Sequence, residues 1–196
     1  MAKTSQNKRS YTKLWLLSLC RRNAEKWRKI KENQHFQGAL NIMIKVLFIC
    51  HGNICRSTLA QSVFTHKVAS QGLSAHFLID SAATSTEEIG NPPHRGTVNK
   101  LRKVGIPLVP HRARQVTWAD YEKFDYIIGM DSANIRNLNR MLKGDPEGKI
   151  YKFLTFAGSD RDIADPWYTG DFDATYEDVL EGCVGFLAYL KEQGQI

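Results

Sequence analysis

A cysteine and an arginine that enclose five residues, set between an apolar run and the start of a helical segment, constrain this chain more than any other feature. Val46-Leu47-Phe48-Ile49 is continuously apolar, as expected for a strand covered on both faces. It leads into Cys50-His51-Gly52-Asn53-Ile54-Cys55-Arg56-Ser57-Thr58, and Ser57 to Ser70 then has helical composition, with Leu59, Val63 and Phe64 apolar. A loop in that place suits an anion for three reasons. Backbone N–H groups of a tight turn converge on its centre, Gly52 permits φ angles that other residues resist, and the following helix contributes its positive end. Arg56 adds a planar fork matched to two phosphate oxygens. The same field suits negative charge on the Cys50 sulfur, so the cradle that would hold an anion would also activate a nucleophile. The loop lacks the GxxxxGK[ST] spacing of a nucleotide-binding P-loop, has no Lys placed for β and γ phosphates, and is not a CxxC redox motif.

The remainder of the chain repeats the same alternation. Apolar runs recur at Phe77 to Ile79 and Tyr126 to Ile128, with Ile150 to Leu154 as a weaker fourth. Between them, helices are predicted over Thr97 to Val104 closing at Gly105, Ser132 to Leu142 closing at Gly144, and Ala174 to Glu192 closing at Gly194. Strands alternating with helices pair in parallel and bury both faces, so the expected fold is a three-layer α/β/α sandwich around a four-stranded parallel sheet. Ligands of such sheets bind beyond the carboxyl ends of the strands, where Cys50 lies.

Charge divides the chain in two. The 196 residues carry a net charge of +7, which invites a nucleic-acid or acidic-membrane reading. Residues 1–42 hold ten Lys or Arg and two Glu, whereas 43–196 hold seventeen basic and eighteen acidic residues. The basic surplus therefore belongs to an N-terminal extension, the domain proper is expected at 43–196, and no nucleic-acid partner is expected. In the extension, Leu16, Cys20, Ala24, Trp27 and Ile30 share one helical face. Residues 1–42 are accordingly either a poorly ordered appendage or a basic amphipathic helix making weak contact with a membrane or a partner. Met43 directly precedes the first strand, so the segment is alternatively sequence upstream of the true start. No apolar run reaches membrane-spanning length, and Leu14 to Leu19, broken by Ser18 and followed by Arg21-Arg22, lacks the features of a secretory signal. A cytoplasmic location follows as the expectation. Cys20, Cys50, Cys55 and Cys183 offer no spacing suited to structural zinc, and neither metal nor cofactor is expected.

The segment VLFI-CHGNICRS resembles the signature of the low-molecular-weight protein tyrosine phosphatases. The likeness continues through Asp80-Ser81-Ala82-Ala83-Thr84, Ile89-Gly90-Asn91-Pro92-Pro93, His111-Arg112-Ala113-Arg114-Gln115, Phe124-Asp125-Tyr126-Ile127-Ile128 and Asp165-Pro166-Trp167-Tyr168. It covers residues 43 to 192 in the family's order and leaves the extension outside. The resemblance implies hydrolysis of phosphotyrosine in proteins, and of small aryl phosphates, through a cysteinyl-phosphate. Cys50 would be the nucleophile, Arg56 and the N–H groups of Gly52, Asn53, Ile54 and Cys55 would hold phosphate, and Asp165 would be the general acid and base. It further implies that Ser57 bonds the Cys50 sulfur, that Asn53 holds an unusual loop conformation through bonds to Ser81 and His111, that Cys55 traps oxidised Cys50 as a disulfide, and that Trp167 and Tyr168 wall the pocket.

Several positions depart from the pattern. Thr58 stands where the family usually has Pro, and Gln61 where it often has Glu. Glu87 replaces a rim residue that is commonly aromatic, and a carboxylate there would repel acidic substrate flanks. Ile54 matches tyrosine-specific members, whereas relatives acting on phosphoarginine typically carry Thr. The alternatives are a phosphoarginine phosphatase, an arsenate reductase, which would need further redox cysteines absent between Cys55 and Cys183, and a non-catalytic phosphate-recognition module.

Overall fold

The computed structural model describes residues 43–196. The amphipathic face of Leu16, Cys20, Ala24, Trp27 and Ile30, and the extension that carries it, lie outside the described residues. Four strands form one sheet: β1 (Ile44–Cys50), β2 (Phe77–Ala83), β3 (Tyr126–Gly129) and β4 (Ile150–Lys152). They are parallel in the order β2-β1-β3-β4. Helices α1 (Arg56–Ser70), α2 (Arg95–Lys103), α3 (Trp118–Lys123), α4 (Ser132–Met141), α5 (Pro166–Thr169) and α6 (Phe172–Glu192) connect and follow them.

Alternation along β1 explains why its apolar run is unbroken. Val46 and Phe48 face one layer, where they join Phe64 of α1, Phe153, and Phe186 of α6. Leu47 and Ile49 face the other with Ile127, Tyr121, Phe124 and Leu138. Each side chain is fully buried. From Val46 to Ile49 the strand therefore has no solvent face on which a polar residue would be tolerated, and its one charged residue, Lys45, lies at the half-buried start. Rings concentrate on the first side, where Phe48 meets Phe64 edge-on at a centroid distance of 5.7 Å and Phe153 at 5.2 Å.

The chain leaves β1 in one direction to form β2 and returns on the opposite side to form β3. The carboxyl end of β1 is thus the point where the strand order reverses, and the crevice that parallel sheets offer to ligands opens there.

The predicted elements are present with shifted ends. β2 runs past Ile79 through Asp80-Ser81-Ala82-Ala83 because β1 pairs with it along its whole length, Cys50 lying opposite Ala83. β4 stops at Lys152, and Phe153–Ala157 forms a 3-10 turn that sends Phe153 and Leu154 into the core. The three predicted stops, Gly105, Gly144 and Gly194, all have positive φ. Two helices were not predicted. α3 begins at a capping box formed by Thr117 and Asp120, and α5 is a single turn entered through Asp165 and Pro166.

Candidate active site

The loop from His51 to Cys55 joins β1 to α1 and wraps around the Cys50 side chain. Cys50 is buried, and its Sγ lies 3.1 Å from Ser57 Oγ and 3.2 Å from the Asn53 amide nitrogen, which donates to it. Asn53 is the pivot of the loop. It takes the left-handed conformation, with φ at 60°, and is completely buried. Its Nδ2 donates to Ser57 Oγ and to Ser81 Oγ, both at 2.9 Å. Its Oδ1 accepts from the Arg114 amide at 3.1 Å and pairs with His111 Nε2 at 2.6 Å, which makes that ring nitrogen the donor. Four bonds on one amide hold a backbone that a residue with Cβ otherwise avoids.

This arrangement fixes a proton. Ser57 Oγ already accepts from Asn53 Nδ2, so its own hydrogen is free to point at the Cys50 sulfur. Two donors, the Ser57 hydroxyl and the Asn53 amide, therefore converge on Sγ.

The expectation for Gly52 requires correction. The left-handed position of the loop is Asn53, and Gly52 has no positive φ. A Cβ at Gly52 would stand 3.1 Å from Glu88 Cγ, so a larger residue there would displace that side chain by a few tenths of an ångström.

Arg56 opens α1 and is almost wholly enclosed. Its Nη1 donates to Asp131 Oδ2 at 2.5 Å and to the Ile163 carbonyl at 3.0 Å, and its Nη2 donates to Asp165 Oδ2. Its Nε is buried without a partner. Burial works against the charge, but the adjacent Cys50, Asp165 and Asp131 outweigh it and raise the guanidinium above its ordinary value. Asp131 is anchored from behind: it N-caps α4, with Oδ1 accepting from the Asn134 amide at 2.6 Å. Asp165 likewise N-caps α5, with Oδ1 accepting from the Trp167 amide at 3.1 Å.

A second layer supports Asn53. Ser81 Oγ donates to Gln61 Oε1 at 2.7 Å, so Gln61 serves here as a neutral acceptor. Arg114 bridges Asp80 at 2.8 Å and Asp120 at 2.9 Å. Burial pushes the His111 imidazole below its ordinary value and prevails over the pull of Asp80, with Arg114 adding to the downward push. The bond to Asn53 Oδ1 places a hydrogen on His111 Nε2.

The remaining expected residues divide by role. The Ile54 side chain packs with Cys55, Ala113 and Phe172, and its carbonyl accepts from the His94 amide at 2.8 Å. Cys50 and Cys55 are both free thiols. Burial first, and then the neighbouring Cys50, push the Cys55 thiol up to about 12. Trp167 and Tyr168 are exposed, and beside the loop His51 Nε2 meets Glu87 Oε2 at 3.0 Å. Thr58, in place of proline, turns its hydroxyl back to the Cys55 carbonyl at 3.0 Å. Asp131 and the Ile163 carbonyl, which orient Arg56, were not identified from sequence. Asp131 is legible as the N-cap of a helix, but nothing local announces the arginine it meets.

Among the described residues no group of three or more His, Cys, Asp or Glu is arranged to hold a metal ion, and no helix is long and apolar enough to cross a membrane.

The family model described as low molecular weight phosphotyrosine protein phosphatase matches residues 45–196. The low molecular weight protein-tyrosine-phosphatase YfkJ of Bacillus subtilis is 41% identical over 156 residues, 79% of this chain and all of the relative. The human low molecular weight phosphotyrosine protein phosphatase is 41% identical over 149 residues, covering 72% of this chain and 92% of the relative. In structure, YfkJ superposes with a TM-score of 0.75 at 40% identity, over 81% of this chain and 99% of that one. A Drosophila arginine phosphatase superposes at 0.70 with 31% identity, over 76% and 98%.

Proposed function

The chain belongs to the low molecular weight phosphotyrosine protein phosphatase family, and on that premise we propose how its residues divide the work of a protein-tyrosine phosphatase. The observation that carries the reading is the charge arrangement around Cys50. Two donors converge on its sulfur, and beside it stands a charged Arg56 with one buried N–H unused. Such a donor, excluded from water, gains a partner only from an arriving acceptor.

A phosphotyrosine dianion enters with its equatorial oxygens on the loop amides and the Arg56 fork. Cys50 Sγ attacks phosphorus in line, the sulfur–phosphorus bond forms, and the bond to the phenolic oxygen breaks. Asp131 and the Ile163 carbonyl keep Nη1 in place while phosphate competes with Asp165 for Nη2. The exchange releases Asp165 from its cation; its carboxylate takes up the proton that the Cys50 thiol gives up on attack and delivers it to the departing oxygen. In the second step Asp165 withdraws a proton from water, the oxygen attacks phosphorus, and Cys50 leaves as thiolate onto the Ser57 hydroxyl and the Asn53 amide. Trp167 and Tyr168 flank the aryl group.

Phosphoarginine hydrolysis is the second reading, favoured by the likeness to the Drosophila arginine phosphatase. Ile54 favours the tyrosine substrate. Once a peroxide has oxidised Cys50 to its sulfenic acid, the Cys55 sulfur would condense with it, closing a disulfide and releasing water. We place the enzyme in the cytoplasm, with phosphotyrosine proteins as partners, no nucleic acid, and a domain boundary near Met43. Residues 1–42 are assigned at most a weak membrane or partner contact.

Turnover of matched phosphotyrosine, phosphoserine and phosphoarginine peptides tests the assignment. Phosphotyrosine should be preferred, and Cys50→Ser should abolish hydrolysis of p-nitrophenyl phosphate. Preference for phosphoarginine, or an active serine variant, would overturn it.

A further inference from the structure

In the mechanism above, substrate takes Arg56 away from Asp165, and something else must then hold the acid. Asp165 Oδ1 keeps its bond to the Trp167 amide, so the position of α5 becomes decisive. α5 is one turn long, and the chain leaves it through Gly170 to begin α6 at Phe172.

His94 meets both ends of that segment. Its ring stacks on Phe172 with centroids 5.4 Å apart and planes 6° from parallel, and it meets Trp167 edge-on at 5.7 Å and 72°. Gly96 makes room for the Phe172 ring, since a Cβ there would fall 2.2 Å from ring carbon Cε2. The His94 backbone is tied to the anion loop, its amide donating to the Ile54 carbonyl at 2.8 Å. Thr97 Oγ1 reaches the Ile54 and Cys55 carbonyls at 3.4 Å each. One residue thus joins the nucleophile's loop to the acid's helix by its main chain on one side and its ring on the other.

We propose that His94 is a positioning residue that, through the His94–Trp167 and His94–Phe172 ring contacts, holds Asp165 at the leaving-group oxygen once phosphate occupies Arg56. The proposal rests on the reading of Asp165 as general acid. A competing role is purely local: His94 Nδ1 accepts from the Gly96 amide at 3.1 Å and so N-caps α2.

Two substitutions separate the roles. His94→Asn keeps a capping acceptor and loses the ring; His94→Phe keeps a ring and loses the acceptor. The readout is kcat/KM across aryl phosphates of graded leaving-group basicity in the full-length chain, because only poor leaving groups need the acid. His94→Asn should stay within about twofold of wild type on p-nitrophenyl phosphate and fall about fivefold on phenyl phosphate, the scale of one lost aromatic pair. His94→Phe should keep the wild-type dependence although its melting temperature falls. An unchanged dependence in His94→Asn, or a loss in His94→Phe as large as in His94→Asn, would overturn the proposal. Asp165→Asn serves as the control: it should steepen the dependence most, and if it does not, the acid assignment fails independently of His94.

Discussion

Replacing Ser57 by alanine should separate the two chemical steps. Ser57 Oγ lies 3.1 Å from the Cys50 sulfur and, because it accepts from Asn53 Nδ2, its hydrogen is directed at that sulfur. A hydrogen bond to a charged group contributes about 1.5–3 kcal/mol, which corresponds to about tenfold to a hundredfold in rate when lost from one transition state. In the first step the sulfur gives up negative charge, so loss of the donor costs little or even favours attack. In the second step charge returns to the sulfur, and the missing donor raises the barrier by the full amount. Asn53 Nδ2 retains Ser81 Oγ at 2.9 Å, so the loop keeps its conformation. The expected result is a kcat lowered about tenfold to a hundredfold, a nearly unchanged kcat/KM, and a stopped-flow burst of p-nitrophenolate approaching one per enzyme. Equal losses in kcat and kcat/KM without a burst would refute the assignment of Ser57 to thiolate departure.

Other expectations follow from the same network. Asn53→Ala removes four hydrogen bonds and leaves Cβ strain at φ 60°, so urea unfolding should show a loss of about 3 kcal/mol or more, with Asn53→Gly about 1 kcal/mol less affected. His111 is pushed below its ordinary value in the fold, so between that lowered value and about 6.5 the unfolded chain binds more protons. Stability should therefore rise with pH through this window and fall on acidification. His111→Gln should flatten that part of the urea-midpoint profile; an equally steep profile would contradict the downward push of burial on the imidazole. Glu87→Gln should raise kcat/KM for a phosphotyrosine peptide with Glu beside the phosphotyrosine, relative to one with Lys, by about twofold to fivefold, as expected for one screened charge pair. An unchanged ratio would show that Glu87, held by His51, does not face the substrate flank.

The parts of this molecule legible in sequence are those whose chemistry is contiguous. Cys50 to Ser57 places nucleophile, anion loop and arginine on one stretch of chain, and the strand before it is marked by four consecutive apolar residues. The second half of β2 was missed because Asp80-Ser81-Ala82-Ala83 has neither apolar run nor alternation; its pairing is imposed by β1. α5 is too short to have a period. Asp131, the Ile163 carbonyl and His94 act across 75, 107 and 40 residues of sequence respectively, measured to Arg56 for the first two and to Ile54 for the third. Only the fold brings them together. Residue type alone points to Gly52 for the unusual φ and the family resemblance to Asn53; the structure gives it to Asn53, whose side chain makes the four bonds that sustain it.

The central claim is that Cys50 carries the phosphoryl group between the two steps. Acid quench of the full-length enzyme during turnover of a phosphotyrosine substrate, followed by peptide mass mapping, tests it most directly. A single phosphoryl group on Cys50, accumulating further in Ser57→Ala and absent in Cys50→Ser, is the predicted result. Continued hydrolysis with no covalently bound phosphoryl group, or with the group on another residue, would contradict it.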